Sequence, residues 1–169
     1  VNDVKVFIQD LHAFKQDIIS NKKKKIDENV LIFDEAQRVW DKDQLEGWVA
    51  KKGADKKYFG LSEADLLLST FNEKEWGVIV ALVGLGQDIY NGEDGLSVWF
   101  DSLLTKNKDW EIRLSKEIFE QKADNLINYK ETLLNCPMVK ECPGLFLKTC
   151  IRTPRAKNLS EFAEAFLNN

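Results

Sequence analysis

The hydrophobic positions form short apolar runs that alternate with amphipathic segments. The β-branched run from Val4 to Ile8 predicts a strand, and the 3.6-residue spacing from Leu11 to Ser20 predicts a helix after it. NVLIF, from Asn29 to Phe33, and GVIVALVGLG, from Gly77 to Gly86, are uninterrupted apolar runs. Such runs are typical of strands that are buried on both faces of a parallel sheet.

Polar and helical segments separate these runs. The lysine-rich stretch from Gln44 to Gly60 predicts a surface helix and a loop. Ser62, with Asp65 three residues later, predicts a capped helix that continues to Phe71. The alternation of strands and helices predicts an α/β doubly wound fold with a mainly parallel sheet. Further helices are predicted over Leu96–Leu104, Ser115–Leu134 and Leu159–Leu167, and further strands over Trp110–Leu114 and Leu145–Ile151.

A proline- and glycine-containing segment, Cys136 to Gly144, marks the best candidate for a boundary between two lobes. Pro137 stops the preceding helix, because proline lacks the amide proton that a helix needs. We therefore predict a first lobe over residues 1–135, a linker over 136–144 and the beginning of a second lobe over 145–169.

Composition narrows the class of protein. The 169 residues are 44% hydrophobic, enough for one domain-sized core. The 24 basic and 28 acidic residues give a net charge of −4, which excludes a global positive field for nucleic acid. No run approaches the ~20 apolar residues that span a bilayer, so we expect a soluble, cytoplasmic protein without a membrane partner. The three cysteines lie far from His12, the only histidine, and are expected to be reduced thiols.

The first candidate site is VLIFDEAQR, from Val30 to Arg38, in which two carboxylates follow a strand directly. Strand ends of this kind project side chains into the ligand crevice of an α/β sheet. There Asp34 would hold hydrated Mg²⁺ and Glu35 would polarise a water for attack on a phosphoryl group. The same pair is equally compatible with a solvated strand terminus.

Two further segments carry candidate chemistry. Gln87 follows the second apolar run and its glycines, where a neutral amide can bridge a phosphate oxygen and the attacking water, although the glycines also suit a plain loop. Arg152 follows a predicted strand, where a guanidinium can neutralise charge on a transferred phosphoryl group. Arg155 is a weaker candidate for that role, and either arginine also suits a surface ion pair.

Together, DEAQR, VGLGQDIYNGEDGL and CIRTPRAKNLSEFAEAFLN resemble superfamily I helicases, and most closely a bacterial ATP-binding family related to the Schlafen group 3 helicase-like domain. The resemblance implies an incomplete RecA-like P-loop NTPase lobe and the start of a second one. It implies that Asp34 and Glu35 form the magnesium and catalytic-base motif, which Gln37 completes as a cofactor-binding residue. It also assigns the γ-phosphate contact to Gln87 and the arginine finger to Arg152.

The phosphate-binding loop, G-x-x-x-x-G-K-[ST], does not occur in these 169 residues. We therefore expect a piece of an ATP-dependent, nucleic-acid-remodelling motor whose P-loop lies upstream of Val1. The parent protein would use ATP and Mg²⁺, and this piece alone would bind neither tightly. An apolar sheet edge beside Val78–Val83 is expected to be exposed and to promote self-association.

Two other functions remain open. A RecA-like lobe that has lost nucleotide binding would serve as a scaffold, which agrees with the missing loop but leaves the identities of Asp34, Glu35, Gln87 and Arg152 without a purpose. A metal-dependent nuclease is weaker, because no second acidic cluster follows a strand at comparable spacing.

Overall fold

The protein is described by a computed structural model over residues 8–20, 27–84, 95–119 and 124–147. In this part of the chain, helices alternate with strands that pair in short parallel sheets, which confirms the predicted α/β class and agrees with part of a RecA-like lobe. The helices are α1 (Leu11–Ile19), α2 (Lys42–Lys51), α3 (Glu63–Ser69), α4 (Leu96–Thr105) and α5 (Asp124–Leu134). The strands are β1 (Val30–Phe33), β2 (Val78–Ala81), β3 (Ile112–Leu114) and β4 (Val139–Glu141).

Strands β1 and β2 pair in parallel, with Val30 opposite Val78 and Phe33 opposite Ala81. Leu31, Phe33 and Ile79 pack against the core, whereas the residues between them face outward. The prediction that these runs are buried on both faces is therefore wrong for the described structure. Ile32 is 66% exposed, because the described helices cover only one side of this sheet.

Strand β3 pairs in parallel with β4 in a second short sheet. The hydrophobic pattern predicted β3 but missed β4, in which Val139 is the one apolar residue and Lys140 and Glu141 are exposed. Lys140 forms an ion pair with Glu111 at the other strand's start. This pairing places a strand inside the segment that the sequence marks as a candidate linker.

Helices α1, α2 and α3 begin where short polar side chains can accept backbone protons. Asp10 accepts hydrogen bonds from the amides of His12 and Ala13 at the start of α1. At α3 the predicted cap is confirmed, because Ser62 and Asp65 accept each other's backbone protons in a capping box. This helix ends at Ser69, two residues before the predicted end.

Two other predicted elements differ from the structure. The predicted helix from Ser115 to Leu134 begins instead as a 3₁₀ turn, Lys116–Phe119, where the Ser115 hydroxyl donates to the Glu117 carboxylate. Such local hydrogen bonds compete with the α-helix, which the described residues show over Asp124–Leu134. The predicted strand at Leu145 is the end of a 3₁₀ turn, Pro143–Leu145, in which proline favours the turn conformation. Residues 148–151 of that strand lie outside the described residues.

The core consists of two clusters of buried side chains. The larger one joins both sheets to α3, α4 and α5 through residues such as Leu67, Trp99 and Leu133. The smaller one joins α1, α2 and α3 through Ile19, Leu45 and Leu66. None of the described helices is long and apolar enough to cross a membrane.

Candidate functional site

The two candidate carboxylates lie at the carboxyl end of β1, where the strand enters a tight turn. Asp34 accepts a hydrogen bond from the backbone N–H of Glu35 at 3.0 Å, and both residues are exposed. Glu35 has φ 55° and ψ 42°, the left-handed region that residues with a Cβ rarely adopt. This conformation turns the chain abruptly away from the strand and into the 3₁₀ turn Ala36–Arg38.

The turn is fixed from behind by Ala36, which is completely buried. The Ala36 N–H donates to the Leu82 carbonyl at 2.8 Å, just beyond β2. The indole N–H of Trp99, on α4, donates to the Ala36 carbonyl, also at 2.8 Å. Both backbone groups of Ala36 are therefore satisfied by neighbouring elements, which hold the Glu35 backbone in its unusual conformation.

The carboxamide of Gln37 links the turn to the segment that follows β2. Its Nε2 donates to Oε2 of Glu35 at 2.6 Å, and its Oε1 accepts the backbone N–H of Gly84 at 3.0 Å. Gln37 is only 4% exposed, so it lies beneath the exposed carboxylates. A neutral amide can form both hydrogen bonds because it carries a donor and an acceptor at the same time.

A buried ion pair lies behind the residues that follow the turn. Lys15 on α1 lies 2.5 Å from Glu63 on α3, and both side chains are at most 1% exposed. The ammonium also lies 3.3 Å from the ring centroid of Trp40, whose backbone N–H donates to Glu63. Burial lowers the pKa of Lys15 below its usual value, although the negative charge of Glu63 opposes that shift.

The structure thus brings together three of the residues singled out in the sequence: Asp34, Glu35 and Gln37. Gln87 and Arg152 lie outside the described residues. The sequence did not identify Trp99 as a support for the site, and its position within an amphipathic helix gave only the signal of an ordinary core aromatic.

The donor set at the turn fits a magnesium ion. Among the described residues, no three His, Cys, Asp or Glu side chains cluster as a complete metal site. Mg²⁺, however, is commonly held by one or two carboxylates together with water and substrate phosphates. Asp34, exposed at the carboxyl edge of a parallel sheet, meets that requirement.

Comparison with known families shows to which family the chain belongs. The family model described as Schlafen group 3, DNA/RNA helicase domain, matches residues 1–169, the whole chain. The chain belongs to this family. No curated protein and no solved structure matches it.

In this Schlafen group 3 helicase domain, the turn after β1 combines two exposed carboxylates with a buried support. The carboxylates are available to a cation or a water, while the supporting amide and indole are enclosed by protein. Catalytic groups need such fixed positions, because a displacement of about 1 Å can cost a hundredfold in rate.

Proposed function

We propose that this domain is part of an ATP-dependent, nucleic-acid-remodelling motor of the superfamily I, P-loop type. The observation that carries the proposal is the Glu35 carboxylate, displayed at the carboxyl end of β1 and hydrogen-bonded by the buried Gln37. The family match supports the same class of function. A carboxylate in such a position has the geometry of a general base.

The two adjacent carboxylates have different roles in this proposed function. Asp34 would hold Mg²⁺, which would neutralise charge on the ATP phosphates. Glu35 orients a water molecule towards the γ-phosphate and accepts its proton as the bond to phosphorus forms. The leaving group is ADP, and the products are ADP and inorganic phosphate.

Two further residues, both outside the described part of the chain, complete the proposed machinery. Gln87 contacts the γ-phosphate and reports its presence to the nucleic-acid-binding surface. Arg152, as an arginine finger, stabilises the charge that develops on the phosphoryl group. The proposed ATP site also requires a phosphate-binding loop, a motif that these 169 residues do not contain.

The test of this function is the Glu35→Gln variant of the full-length protein. The amide keeps the shape of glutamate but is not basic, so ATP binding is expected to stay nearly intact while the hydrolysis rate falls about 10²–10⁴-fold. Steady-state ATPase assays with nucleic acid and equilibrium ATP binding measure the two quantities.

Glu28→Gln is the matched control, because Glu28 is an exposed carboxylate that precedes the opposite end of the same strand. That variant should hydrolyse ATP at the wild-type rate. Near-normal turnover in Glu35→Gln would remove Glu35 from the mechanism.

A scaffold function is the second candidate, and the absence of a phosphate-binding loop from these residues favours it. The same assays separate the two functions. A wild-type full-length protein that neither binds nor hydrolyses ATP, with or without nucleic acid, would leave the scaffold as the better explanation.

A further inference from the structure

We propose that Gln37 is a positioning residue: it fixes the Glu35 carboxylate and ties it to the backbone at Gly84. This inference rests on the proposed function and deepens it, because it concerns the same site. Gln37 acts by holding Glu35 and the Gly84 backbone, and not by direct contact with the cofactor.

The contacts of the Gln37 side chain fix its orientation. Its two polar atoms bind partners on different segments, Glu35 at 2.6 Å and the Gly84 backbone at 3.0 Å. With 4% exposure, the side chain has little space for another rotamer. A carboxamide held at both ends in this way defines the position of whatever it binds.

The two carboxylate oxygens of Glu35 differ in their surroundings. Gln37 donates to Oε2, which leaves Oε1 as the oxygen presented to a water molecule. An exposed glutamate without such a partner samples several rotamers, and each misplaced rotamer lowers the fraction of protein ready for reaction. The hydrogen bond therefore increases the population of the reactive arrangement.

Gly84 precedes Gln87 by three positions in the sequence. The Gly84 N–H is held by Gln37, so a shift of this backbone changes the position of the Gln37 amide and, through it, of Glu35. The same side chain thus connects the base to the segment that carries the proposed γ-phosphate contact.

The test uses the full-length protein with Gln37→Met, which has a similar length but neither donor nor acceptor. We expect kcat for ATP hydrolysis to fall about 10–100-fold, the usual effect of losing an orienting hydrogen bond, while KM for ATP changes less than about twofold. Gln9→Met is the matched control, because Gln9 makes the same kind of bond, to Asp17 at 2.9 Å, but on the exposed surface. That variant should keep the wild-type kcat.

A double-mutant cycle separates positioning from a purely structural role. If Gln37 acts through Glu35, then adding Gln37→Met to a Glu35→Gln protein should cause no further fall in kcat. An equal fall in both backgrounds, or a fall in ATP affinity in place of kcat, would overturn the proposal. Melting temperatures are measured for every variant.

Hydrogen exchange at the Gly84 amide tests the hydrogen bond between Gly84 and Gln37 without a measurement of ATP hydrolysis. Exchange should accelerate in Gln37→Met but stay slow in Gln37→Glu, whose carboxylate still accepts the Gly84 proton while it repels Glu35. In Gln37→Glu, kcat should therefore fall while the Gly84 amide stays protected from exchange. If Gln37→Met does not fold, Gln37→Glu replaces it in the kinetic test. Rapid Gly84 exchange in the wild type, or normal kcat in both variants, would refute the positioning role of Gln37 but not the proposed function. A wild-type protein without ATP turnover would refute the proposed function as well.

Discussion

The side chain of Glu35 is exposed to solvent, and its backbone adopts an unfavourable conformation. The left-handed region costs a residue with a Cβ roughly 1–2 kcal/mol, and it is retained here because Ala36 is bound on both sides. Glycine would adopt this conformation without that cost. Glutamate therefore lowers the stability of the fold at the position of the proposed general base.

The left-handed backbone of Glu35 predicts an inverted order of stability at position 35. Glu35→Gly should be more stable than Glu35→Ala by about 1 kcal/mol, because both lose the carboxylate and only alanine keeps a Cβ. Urea unfolding of the two variants gives the difference. At Glu46, inside α2, the order should be the usual one, with alanine more stable by about 1 kcal/mol. Equal stability of the two position-35 variants would contradict the strain.

At this scale the sequence predicted the carboxylates but not their support. Asp34 and Glu35 were singled out because an acidic pair directly after an apolar run is a local signal. The bond from Trp99 joins residues 63 positions apart, and the bond from Gln37 to Gly84 joins residues 47 positions apart. No local pattern encodes such contacts, since they exist only once the elements have packed.

At the scale of elements, the interface between α3 and α4 depends on one buried carboxylate. Asp65 accepts hydrogen bonds from the Ser62 backbone, the Ser102 hydroxyl at 2.6 Å and the Lys106 ammonium at 2.7 Å. Burial alone would raise the pKa of Asp65, but the hydrogen bonds from Lys106, Ser102 and Ser62 outweigh it and lower the pKa. The ionised form therefore stabilises the folded state.

The lowered pKa of Asp65 fixes the direction of a pH effect. An aspartate in the unfolded chain has a pKa of about 3.9, so the stabilisation is complete above that pH and is lost as the pH falls towards the lower folded value. Asp65→Asn should be less stable than wild type by about 1–3 kcal/mol at pH 7, and the difference should shrink below pH 4. Half-exposed Lys106 contributes less than its short distance suggests, because water screens it.

Unfolding curves between pH 7 and pH 3 measure this difference. Asp109→Asn, at an exposed position, controls for the loss of one negative charge. A wild-type advantage that stays constant across the whole range would show that Asp65 acts only through its shape.

The elements that were predicted correctly have strong local signals, and those that were missed do not. The capping pair Ser62 and Asp65 located the start of α3, and the apolar runs located β1 and β2. Strand β4 has one apolar residue, so only its pairing with β3 makes it a strand. The start of α5 was misplaced because a hydrogen bond from Ser115 favours a turn.

At the scale of the molecule, one face of the β1–β2 sheet is a continuous apolar surface. We call this the outer face, and it consists of the residues that alternate with the core-facing ones. A contiguous exposed apolar surface of this kind is characteristic of an interaction site. Its members are Val30, Ile32, Trp76, Val78, Val80 and Leu82, each between 39% and 66% exposed.

The outer face predicts that the isolated 169-residue chain self-associates. Ile32→Lys should weaken that association at least tenfold, because a charge replaces an apolar side chain that contact would bury. Sedimentation velocity over a range of concentrations measures the effect. Leu31→Lys, one residue away on the core-facing side, should instead destabilise the fold. Unchanged association in a folded Ile32→Lys protein would exclude the outer face as the contact.

The sequence anticipated an exposed apolar surface at this sheet but assigned it to an edge beside β2. The hydrophobic runs alone could not distinguish the two, because a run with apolar residues at every position suits a strand with either one or two covered faces. The distinction depends on which helices pack on which side, which is a property of the tertiary structure. The proposed linker and second lobe remain predictions.

The buried pair of Lys15 and Glu63 has a thermal consequence. The hydration of charged groups becomes less favourable as temperature rises, so the cost of keeping these two charges away from water decreases on warming. The apolar contacts around them gain no comparable advantage at high temperature. The contribution of this ion pair to the attachment of α1 to α3 is therefore more favourable at high temperature than in the cold.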